Sequence, residues 1–487
     1  MNEKVEDYIK QVVIPSRAIF QDMFKYAPSK LFGLFGNAVI IPIYTNLLTP
    51  AQYGVYAIAL AVLSFLCILF SDWVGFSGLR FFRINQINDE IPKYLSTLVA
   101  LLSSNLIVMY IFAFIFRNNF YEYFNISPRI FLFILVLVIP VAIRALLFQV
   151  LRAQIKPWAF TASSIINQLL TIIIAVLLLK YTSLRAVSIL IAMAISISII
   201  DILLAFQSNF FKLFKFEKPN TQMLKSMYIY GSPIAAASIS MWVINQSNKF
   251  ITTHYHGLNE AGFVGVAYNM TFPILMTIFA VITIAAVPRI INLYEDNIDV
   301  RPLISKLTGY FMIIAIPMVA FIALYAPDLM TLFANSKYQN AYILLPYFAF
   351  GSLFLSFAEY TTLQYHLANK TYILTILKVV AGLLGLGLNI ILIKKYGLLG
   401  VGIATLVSNA IYFLLSVLIK LPNLEWKVPF KVLGHIMTSF IPTAGLYLIL
   451  SIANVNEIIQ MPLMLTFYYL VFYGLNRFFE DKIPEQL

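Results

Sequence analysis

Apolar stretches of roughly 20 residues recur along the whole chain, with short polar segments between them. A helix of that length crosses the hydrocarbon core of a bilayer, so each stretch predicts one membrane-spanning helix. We therefore predict an all-α polytopic membrane protein with about 14 transmembrane helices. The predicted spans cover approximately residues 27–48, 55–79, 95–116, 130–151, 160–179, 184–206, 226–251, 263–287, 307–326, 340–363, 372–393, 398–419, 433–452 and 460–476.

Part of the sequence is repeated roughly 210 residues further along the chain. The stretch LLTPAQYGVYAIAL (47–60) has its counterpart in GLNEAGFVGVAYNM (257–270), and RAQIKPWAFTASSI (152–165) has one in HLANKTYILTILKV (366–379). Six predicted spans are therefore followed by six equivalent spans. Because six is an even number, both copies have the same orientation, which predicts parallel repeats that face each other as in one class of transporters.

The repeat divides the chain into predicted units. We assign residues 26–206 to an N-lobe with the first six spans and 226–419 to a C-lobe with the next six. Residues 207–225 form a cytoplasmic linker, and 420–487 form two peripheral helices and a cytoplasmic tail. Residues 1–25 mix charged and apolar positions without a signal-peptide core. This favours an amphipathic segment on the cytoplasmic membrane surface, with a disordered basic tail as the alternative.

Composition and charge agree with a membrane protein. The chain is 61% hydrophobic and 11% charged, whereas soluble domains are about 25% charged. Its net charge of +12 comes mostly from Lys and Arg in the loops that follow even-numbered spans. This bias predicts the cell (inner, cytoplasmic) membrane with both termini cytoplasmic, and it explains the basic excess without nucleic acid. The single cysteine, Cys67, lies within a span, so neither a disulfide nor a thiolate metal cluster is expected.

Cationic side chains inside the spans are the first candidates for function, because charges facing lipid are costly. Arg144, Lys249 and Lys378 are candidates for binding a phosphorylated substrate. A structural pairing of Arg144 is the alternative for that residue, and snorkelling to an interface is the alternative for the lysines. Arg80 and Arg289, which close the second and eighth spans alike, join this candidate substrate-binding set.

Three intramembrane carboxylates form a second set. Asp72, Asp201 and Glu359 are candidates for coupling to H⁺ or Na⁺, or for counter-charges to the cations. Glu359 also lies close to a helix end, where it could be solvated. No metal site is predicted, since His254 and His256 make only a weak pair in an outer loop.

The sequence lacks the motifs of several enzyme classes. It has no Gly-Lys-Ser or Gly-Lys-Thr phosphate loop and no catalytic His-Glu-x-x-His or Ser-His-Asp grouping. The predicted outer loops are no longer than roughly 15 residues, so they leave no room for an external domain. We expect a transporter that is not an enzyme; a membrane glycan polymerase or ligase is a distant alternative.

Several motifs resemble the polysaccharide (O-antigen, Wzx-type) flippases of the multidrug/oligosaccharidyl-lipid/polysaccharide (MOP) exporter superfamily. They include YAPSKLFGLFGNAVIIPIYTNLLTPAQYGVYAIAL, then DWVGFSGLRFF, and KKYGLLGVGIATLVS near the predicted twelfth span. Asp72 and Arg80 match the second-helix motif of this family. In the seventh helix, relatives often have Asp before Arg or Lys, whereas this chain has Asn248 before Lys249. This difference puts in doubt any ion coupling at that position.

The resemblance implies a MATE-like fold with two six-helix lobes and two peripheral helices. It implies transfer of an undecaprenyl-diphosphate-linked oligosaccharide from the inner to the outer leaflet for polysaccharide biosynthesis. No cofactor is expected beyond possible H⁺ or Na⁺ coupling. The implied partners are the lipid-linked oligosaccharide, membrane lipid and a polysaccharide polymerase. The protein itself is expected to be a monomer. A multidrug or cation antiporter and a lipid II flippase of the same superfamily are the alternatives.

Overall fold

The computed structural model describes residues 16–154, 156–368 and 370–480, and the regular elements within these ranges are helices. A π-helical turn, Ile68–Asp72, joins α2 to α3, and a 3₁₀-helix, Ser336–Leu344, precedes α13. The α-helices are α1 (Ser16–Leu47), α2 (Pro50–Cys67), α3 (Trp73–Ile87), α4 (Ile91–Ile115), α5 (Arg117–Tyr123), α6 (Pro128–Ala153), α7 (Pro157–Tyr181), α8 (Ala186–Gln207), α9 (Phe210–Leu213), α10 (Thr221–Glu295), α11 (Arg301–Leu324), α12 (Ala326–Phe333), α13 (Leu345–Thr361), α14 (Leu363–Leu367), α15 (Thr371–Tyr396), α16 (Leu398–Leu418), α17 (Phe430–Ile452) and α18 (Glu457–Glu480).

All fourteen predicted spans fall on these helices, which confirms the predicted fold class. Twelve helices in the described part of the chain are long and apolar enough to cross a membrane, and Phe32–Leu47 in α1 is a shorter apolar helix. One of the twelve, Thr221–Thr283, contains the seventh predicted span and most of the eighth. These two spans meet at Gly257, whose φ of 84° and ψ of −175° break α10. Glycine adopts this positive φ without the steric cost that a side chain brings.

Helix packing shows the predicted duplication. In the first lobe α8 packs against both α6 and α7, and in the second lobe α16 packs against both α13 and α15. Likewise α2 packs against α6, and the second half of α10 packs against α13. The two lobes are parallel repeats of the same six-helix arrangement. Helices α17 and α18 pack against each other and against α11, outside the second lobe.

The bundle has two ends, which we name by residues that lie there. The Pro50 end carries the α1–α2 connection and Gly257, and the Lys93 end carries the connection between α3 and α4. At the Lys93 end the predicted linker is held to the N-lobe by α4. The Ser96 hydroxyl hydrogen-bonds the Lys215 carbonyl and accepts from the Glu217 amide, and the Thr97 hydroxyl accepts from the Asn220 amide at 3.0 Å.

The lobes contact each other at both ends. At the Pro50 end α2 crosses the second half of α10 so closely that a Cβ added to Gly54 would lie 2.1 Å from the Leu258 carbonyl oxygen. At the Lys93 end Ser77 on α3 donates to the Met227 carbonyl of α10 at 2.9 Å. Aromatic packing of Trp73 against Tyr228 reinforces this second contact, with ring centroids 5.4 Å apart.

The largest apolar core fills the C-lobe and extends to the Pro50 end of α1, α2, α7 and α8. Two smaller cores fill the N-lobe, one in each half of the bundle. Of the predicted amphipathic segment at 1–25, residues 1–15 lie outside the described residues, and 16–25 belong to α1. Residues 481–487 of the predicted tail also lie outside them.

Candidate substrate and ion sites

The N-lobe carries one of its carboxylates at a break in helix geometry. Asp72 is the last residue of the π-helical turn between α2 and α3. It accepts a long hydrogen bond of 3.5 Å from the Ser71 hydroxyl, which also donates to the Cys67 carbonyl at 3.0 Å. Single π-helical turns inside α-helices occur frequently at functional sites, because the inserted residue changes the direction of its neighbours.

Three elements of the N-lobe converge on Arg144. It lies on α6, where Ala145 and Gln149 pack against Gly75 of α3. The carboxylates that act electrostatically on its guanidinium are Asp201 of α8 and Asp72. Within the described residues, however, Arg144 makes neither a hydrogen bond nor an ion pair within 4 Å. Asp201 is only 8% exposed, and its Oδ1 has no hydrogen-bond partner among these residues. We name Asp72, Arg144 and Asp201 the N-lobe charge cluster.

Lys249 has a different environment, because the groups that contact its ammonium are neutral. Its Nζ donates to Gln246 Oε1 at 2.7 Å and lies 4.5 Å from the centroid of the Tyr268 ring. It is 6% exposed and, in the described part of the chain, has no carboxylate within 4 Å. Tyr268 is held in turn by stacking on Phe272, with ring centroids 4.5 Å apart.

The face of α10 that carries Lys249 points toward the N-lobe. Trp242 lies seven residues earlier on the same face, since two helical turns bring residues at this spacing into line. Its indole nitrogen donates to the Ala61 carbonyl at 3.1 Å and to the Ser64 hydroxyl at 3.0 Å, both on α2. Lys249 therefore lies at the border between the lobes, whereas the N-lobe charge cluster lies between helices of one lobe.

The other candidate cation of the C-lobe is paired. Lys378 Nζ of α15 lies 3.2 Å from Glu359 Oε1 of α13, and the two side chains are 13% and 21% exposed. The prediction listed Lys378 for substrate and Glu359 for an ion or counter-charge. The structure brings the two together as an ion pair, an arrangement in which Glu359 is a counter-charge to Lys378.

The two remaining candidates lie apart from these groups. Arg80 is exposed on α3 toward the Lys93 end, outside the N-lobe charge cluster. Arg289 belongs to the backbone of α10, but its side chain is outside the described set.

A cavity of about 740 Å³ opens at the Lys93 end of the C-lobe. It lies between the segment that joins α10 to α11, the end of α14 and the segment that follows α16. Arg301 crosses between the first and last of these segments: it binds Asp299 at 2.8 Å and Glu425 at 3.4 Å. Hydrogen bonds from Arg301 hold the pKa of the Asp299 carboxyl below its ordinary value. None of the buried charges described above lines this cavity, but His366, which does, is close enough to Glu359 and Lys378 to interact with them electrostatically.

Comparison with known proteins identifies the family. The sequence profile described as "Polysaccharide biosynthesis protein" matches residues 43–343, which is more than half of the chain. The chain belongs to this polysaccharide biosynthesis family. None of the curated proteins compared with the chain matches it.

The solved structures similar to this family member include a flippase and a multidrug transporter. The structure titled "Lipid II flippase MurJ, inward closed conformation" has a TM-score of 0.74 and 16% identity, covering 93% of this chain and 97% of that one. An inward-facing multidrug resistance MATE family transporter of the MOP superfamily has a TM-score of 0.64 and 15% identity, covering 80% and 93%. At these identities the likeness shows the fold, which confirms the predicted MATE-like two-lobe architecture.

Sequence reasoning did not find the neutral partners of Lys249. Gln246 lies three residues before it on the same helix face, so this contact could have been found from helical spacing. Tyr268 lies beyond the break at Gly257, and its contact depends on how the two halves of α10 pack. Asn248, the residue before Lys249, is 1% exposed, and its Oδ1 has no partner in the described residues.

Proposed function

We propose that this member of the polysaccharide biosynthesis family is a flippase for undecaprenyl-diphosphate-linked oligosaccharides. It would carry the polar head from the inner to the outer leaflet by alternating access between the lobes, while the lipid tail stays in the bilayer. The product would be used for O-antigen, capsule or exopolysaccharide assembly. The observation that carries the proposal is Lys249, a buried cation at the border of the lobes with neutral partners only.

The charge of Lys249 suits a diphosphate. A phosphorylated head group must cross a region of low dielectric, where an opposite charge is worth much more than in water. Gln246 and the Tyr268 ring orient the ammonium without neutralising it. Arg144 and Lys378 have carboxylates nearby, so part of their attraction for an anion is already offset. We therefore assign the first contact with the diphosphate to Lys249.

The topology of the proposal follows from the basic loops. Lys and Arg residues are concentrated at the Lys93 end, which we place on the cytoplasmic side of the cell membrane together with both termini. The Pro50 end then faces outward. The protein would act as a monomer and hand its cargo to a polysaccharide polymerase on the outer side.

The N-lobe charge cluster is our candidate for the coupling ion. Two carboxylates and one guanidinium leave one negative charge when all three are ionised, and Asp201 has an oxygen without a partner in the described residues. Uptake of one H⁺ or Na⁺ would neutralise this charge. Asp201→Asn should therefore make transport insensitive to the gradient of the coupling ion. Transport by inverted vesicles under an imposed pH or Na⁺ gradient measures this, and an unchanged response to both gradients would reject the assignment.

The test of the flippase itself is Lys249→Ala. Removing a buried charge that holds an anion costs about 2–5 kcal/mol, so display of surface polysaccharide should fall strongly while lipid-linked oligosaccharide accumulates in the inner leaflet. Lys249→Arg keeps the charge and should keep part of the activity. Lys218→Ala, in the exposed linker, is the matched control and should leave display unchanged.

Two results would reject the flippase. One is normal polysaccharide display by Lys249→Ala at normal protein levels. The other is a result of deleting the gene: if the cells lose resistance to cationic drugs and still display polysaccharide, the multidrug antiporter is favoured. Accumulation of lipid II in place of an oligosaccharide intermediate would identify a lipid II flippase instead.

A further inference from the structure

The two copies of the repeated sequence stretch meet each other at the Pro50 end. A Cβ on Gly54, in the first copy, would lie 2.1 Å from the Leu258 carbonyl oxygen in the second. A Cβ on Gly262, in the second copy, would lie 2.1 Å from the Pro50 carbonyl oxygen in the first. Each copy thus contributes one glycine to the contact, and each glycine meets a backbone carbonyl of the other copy. Close backbone approach of this kind requires glycine, because any side chain would overlap the opposite carbonyl.

Polar bonds fasten the lobes beside this contact. The Asn335 side chain, just before the 3₁₀-helix of the C-lobe, donates to Asn46 Oδ1 of α1 at 2.8 Å. The Tyr338 hydroxyl donates to the Leu48 carbonyl at 3.2 Å. Asn269 of α10 donates to the Tyr53 hydroxyl at 2.9 Å. Tyr53 and Tyr338 are fully buried, so the lobes are closed against each other here.

The closed contact lies directly beyond the Lys249 environment. Tyr268, whose ring lies under the Lys249 ammonium, is six residues along α10 from Gly262, a rise of about 9 Å. Asn269, which binds Tyr53, is the next residue. A head group held at Lys249 must therefore pass the Gly54–Gly262 contact to reach the Pro50 end.

We propose that the two repeated stretches form the outer gate of the pathway, and that the glycine contact sets how tightly this gate closes. This rests on the proposed function, which supplies the direction of transport. Each glycine permits the lobes to approach until backbone meets backbone. A methyl group at either position forces the lobes apart by more than 1 Å, since ordinary carbon–oxygen contacts are longer than about 3 Å. Gly54→Ala and Gly262→Ala should thus favour a state open at the Pro50 end.

Accessibility tests the gate without relying on transport. In a Cys67→Ser background, a cysteine at Ala61, which is buried two turns beyond Gly54 on α2, serves as reporter. A membrane-impermeant maleimide added outside intact cells should label it slowly. Overpacking of this size shifts a two-state equilibrium by roughly tenfold, so Gly54→Ala and Gly262→Ala should each raise the labelling rate by about that factor. Gly387→Ala is the control, because a Cβ there meets nothing within 4 Å.

A cross-link tests the same gate from the closed side. Asn46→Cys with Asn335→Cys places two thiols where the side chains now touch, and Asn46 is exposed to reagent. A short bifunctional thiol reagent should stop polysaccharide export, and reductive cleavage of the link should restore it. Export that continues in fully cross-linked protein would overturn the gate. So would labelling rates in both alanine variants equal to that of Gly387→Ala, with all proteins folded and present in equal amounts.

The gate and the flippase fail in different ways. Suppose that Gly54→Ala and Gly262→Ala raise labelling from outside, but cells with Lys249→Ala display polysaccharide normally. The gate then stands, and the proposed substrate is wrong. If labelling rises only when reagent is added from the cytoplasmic side, the Pro50 end is not outside and the outer gate is rejected.

Discussion

The fourth helix of each lobe carries one half-buried charge, and the two charges have opposite signs. The sequence repeat aligns Arg152, near the end of α6, with His366. Arg144 on α6 lies eight residues before Arg152, and Glu359 on α13 lies seven residues before His366. The duplicated fold therefore brings a cation and an anion to nearly the same place in its two copies. Parallel packing of the helices fixes where a charge lies in each lobe, but it does not fix the sign.

The surroundings of the two charges differ as much as their signs. Glu359 has a direct partner, Lys378, at 3.2 Å, so the C-lobe pair is neutral as a unit. Arg144 is shared between two carboxylates on different elements and binds neither directly in the described residues. The C-lobe pair balances its own charge, although Glu359 Oε1, like Asp201 Oδ1, has no hydrogen-bond partner in the described residues. The N-lobe arrangement has one carboxylate in excess, which is why we place a coupling ion there.

The most severe test of this comparison removes Arg144. Arg144→Ala leaves Asp72 and Asp201 without a cation, and carboxylates held away from water without a counter-charge destabilise the fold. We expect a large loss of thermal stability in detergent, together with loss of polysaccharide display. Adding Asp72→Asn and Asp201→Asn should recover most of the stability but not the transport. If Arg144→Ala alone is as stable as the unmodified protein, the three residues do not act as one cluster.

The C-lobe pair should give an intermediate effect. Glu359→Gln and Lys378→Met each leave one partner charged, whereas the double variant removes both charges. Because the side chains are largely buried, we expect a coupling of about 1–3 kcal/mol between the two substitutions. Thermal unfolding of the two single variants and the double variant measures it. Transport should survive in the double variant, and strictly additive effects would show that the pair contributes nothing as a pair.

The helices and the duplication could be predicted because they depend on local and repeated features. The length of each apolar stretch set the fourteen spans, and motifs such as the one at 47–60 revealed the repeat. One local prediction was wrong: His254 and His256 were placed in an outer loop, but they lie on α10, which breaks only at Gly257. Hydropathy falls in this segment although the helix continues, so the polar residues indicated a loop that does not form.

The contacts between helices could not be predicted, because they depend on how each helix is rotated. Lys378 and Glu359 were recognised as charges within predicted spans, yet their pairing requires α13 and α15 to turn the right faces toward each other. The same holds for Lys249 beneath the Tyr268 ring. Gly54 and Gly262 were visible within the repeated stretches, but nothing in their spacing showed that each would meet a carbonyl of the other copy.

The smallest effect is expected at the exposed Arg301 network, which gives a baseline for both buried arrangements. The carboxyls of Asp299 and Glu425 both have pKa values below their ordinary values. For Asp299 the main cause is hydrogen bonding from Arg301. For Glu425 the main cause is hydrogen bonding to the backbone, followed by the hydrogen bond from Arg301. Carboxyls with lowered pKa values stabilise the folded protein above their ordinary range, near pH 4, and lose this contribution as the pH falls through the lowered values. Glu425→Gln should therefore lower the melting temperature slightly at pH 7 and hardly at all at pH 3.

Salt separates this network from the buried charges. Exposed ion pairs are screened at high ionic strength, so the small difference caused by Glu425→Gln should shrink further in 1 M salt. The effects of Glu359→Gln and Arg144→Ala should persist, because buried charges are screened much less. Equal salt sensitivity of all three variants would mean that water and ions reach the charges of both lobes. The contrast between the neutral C-lobe pair and the N-lobe charge cluster with its excess carboxylate would then lose its physical basis.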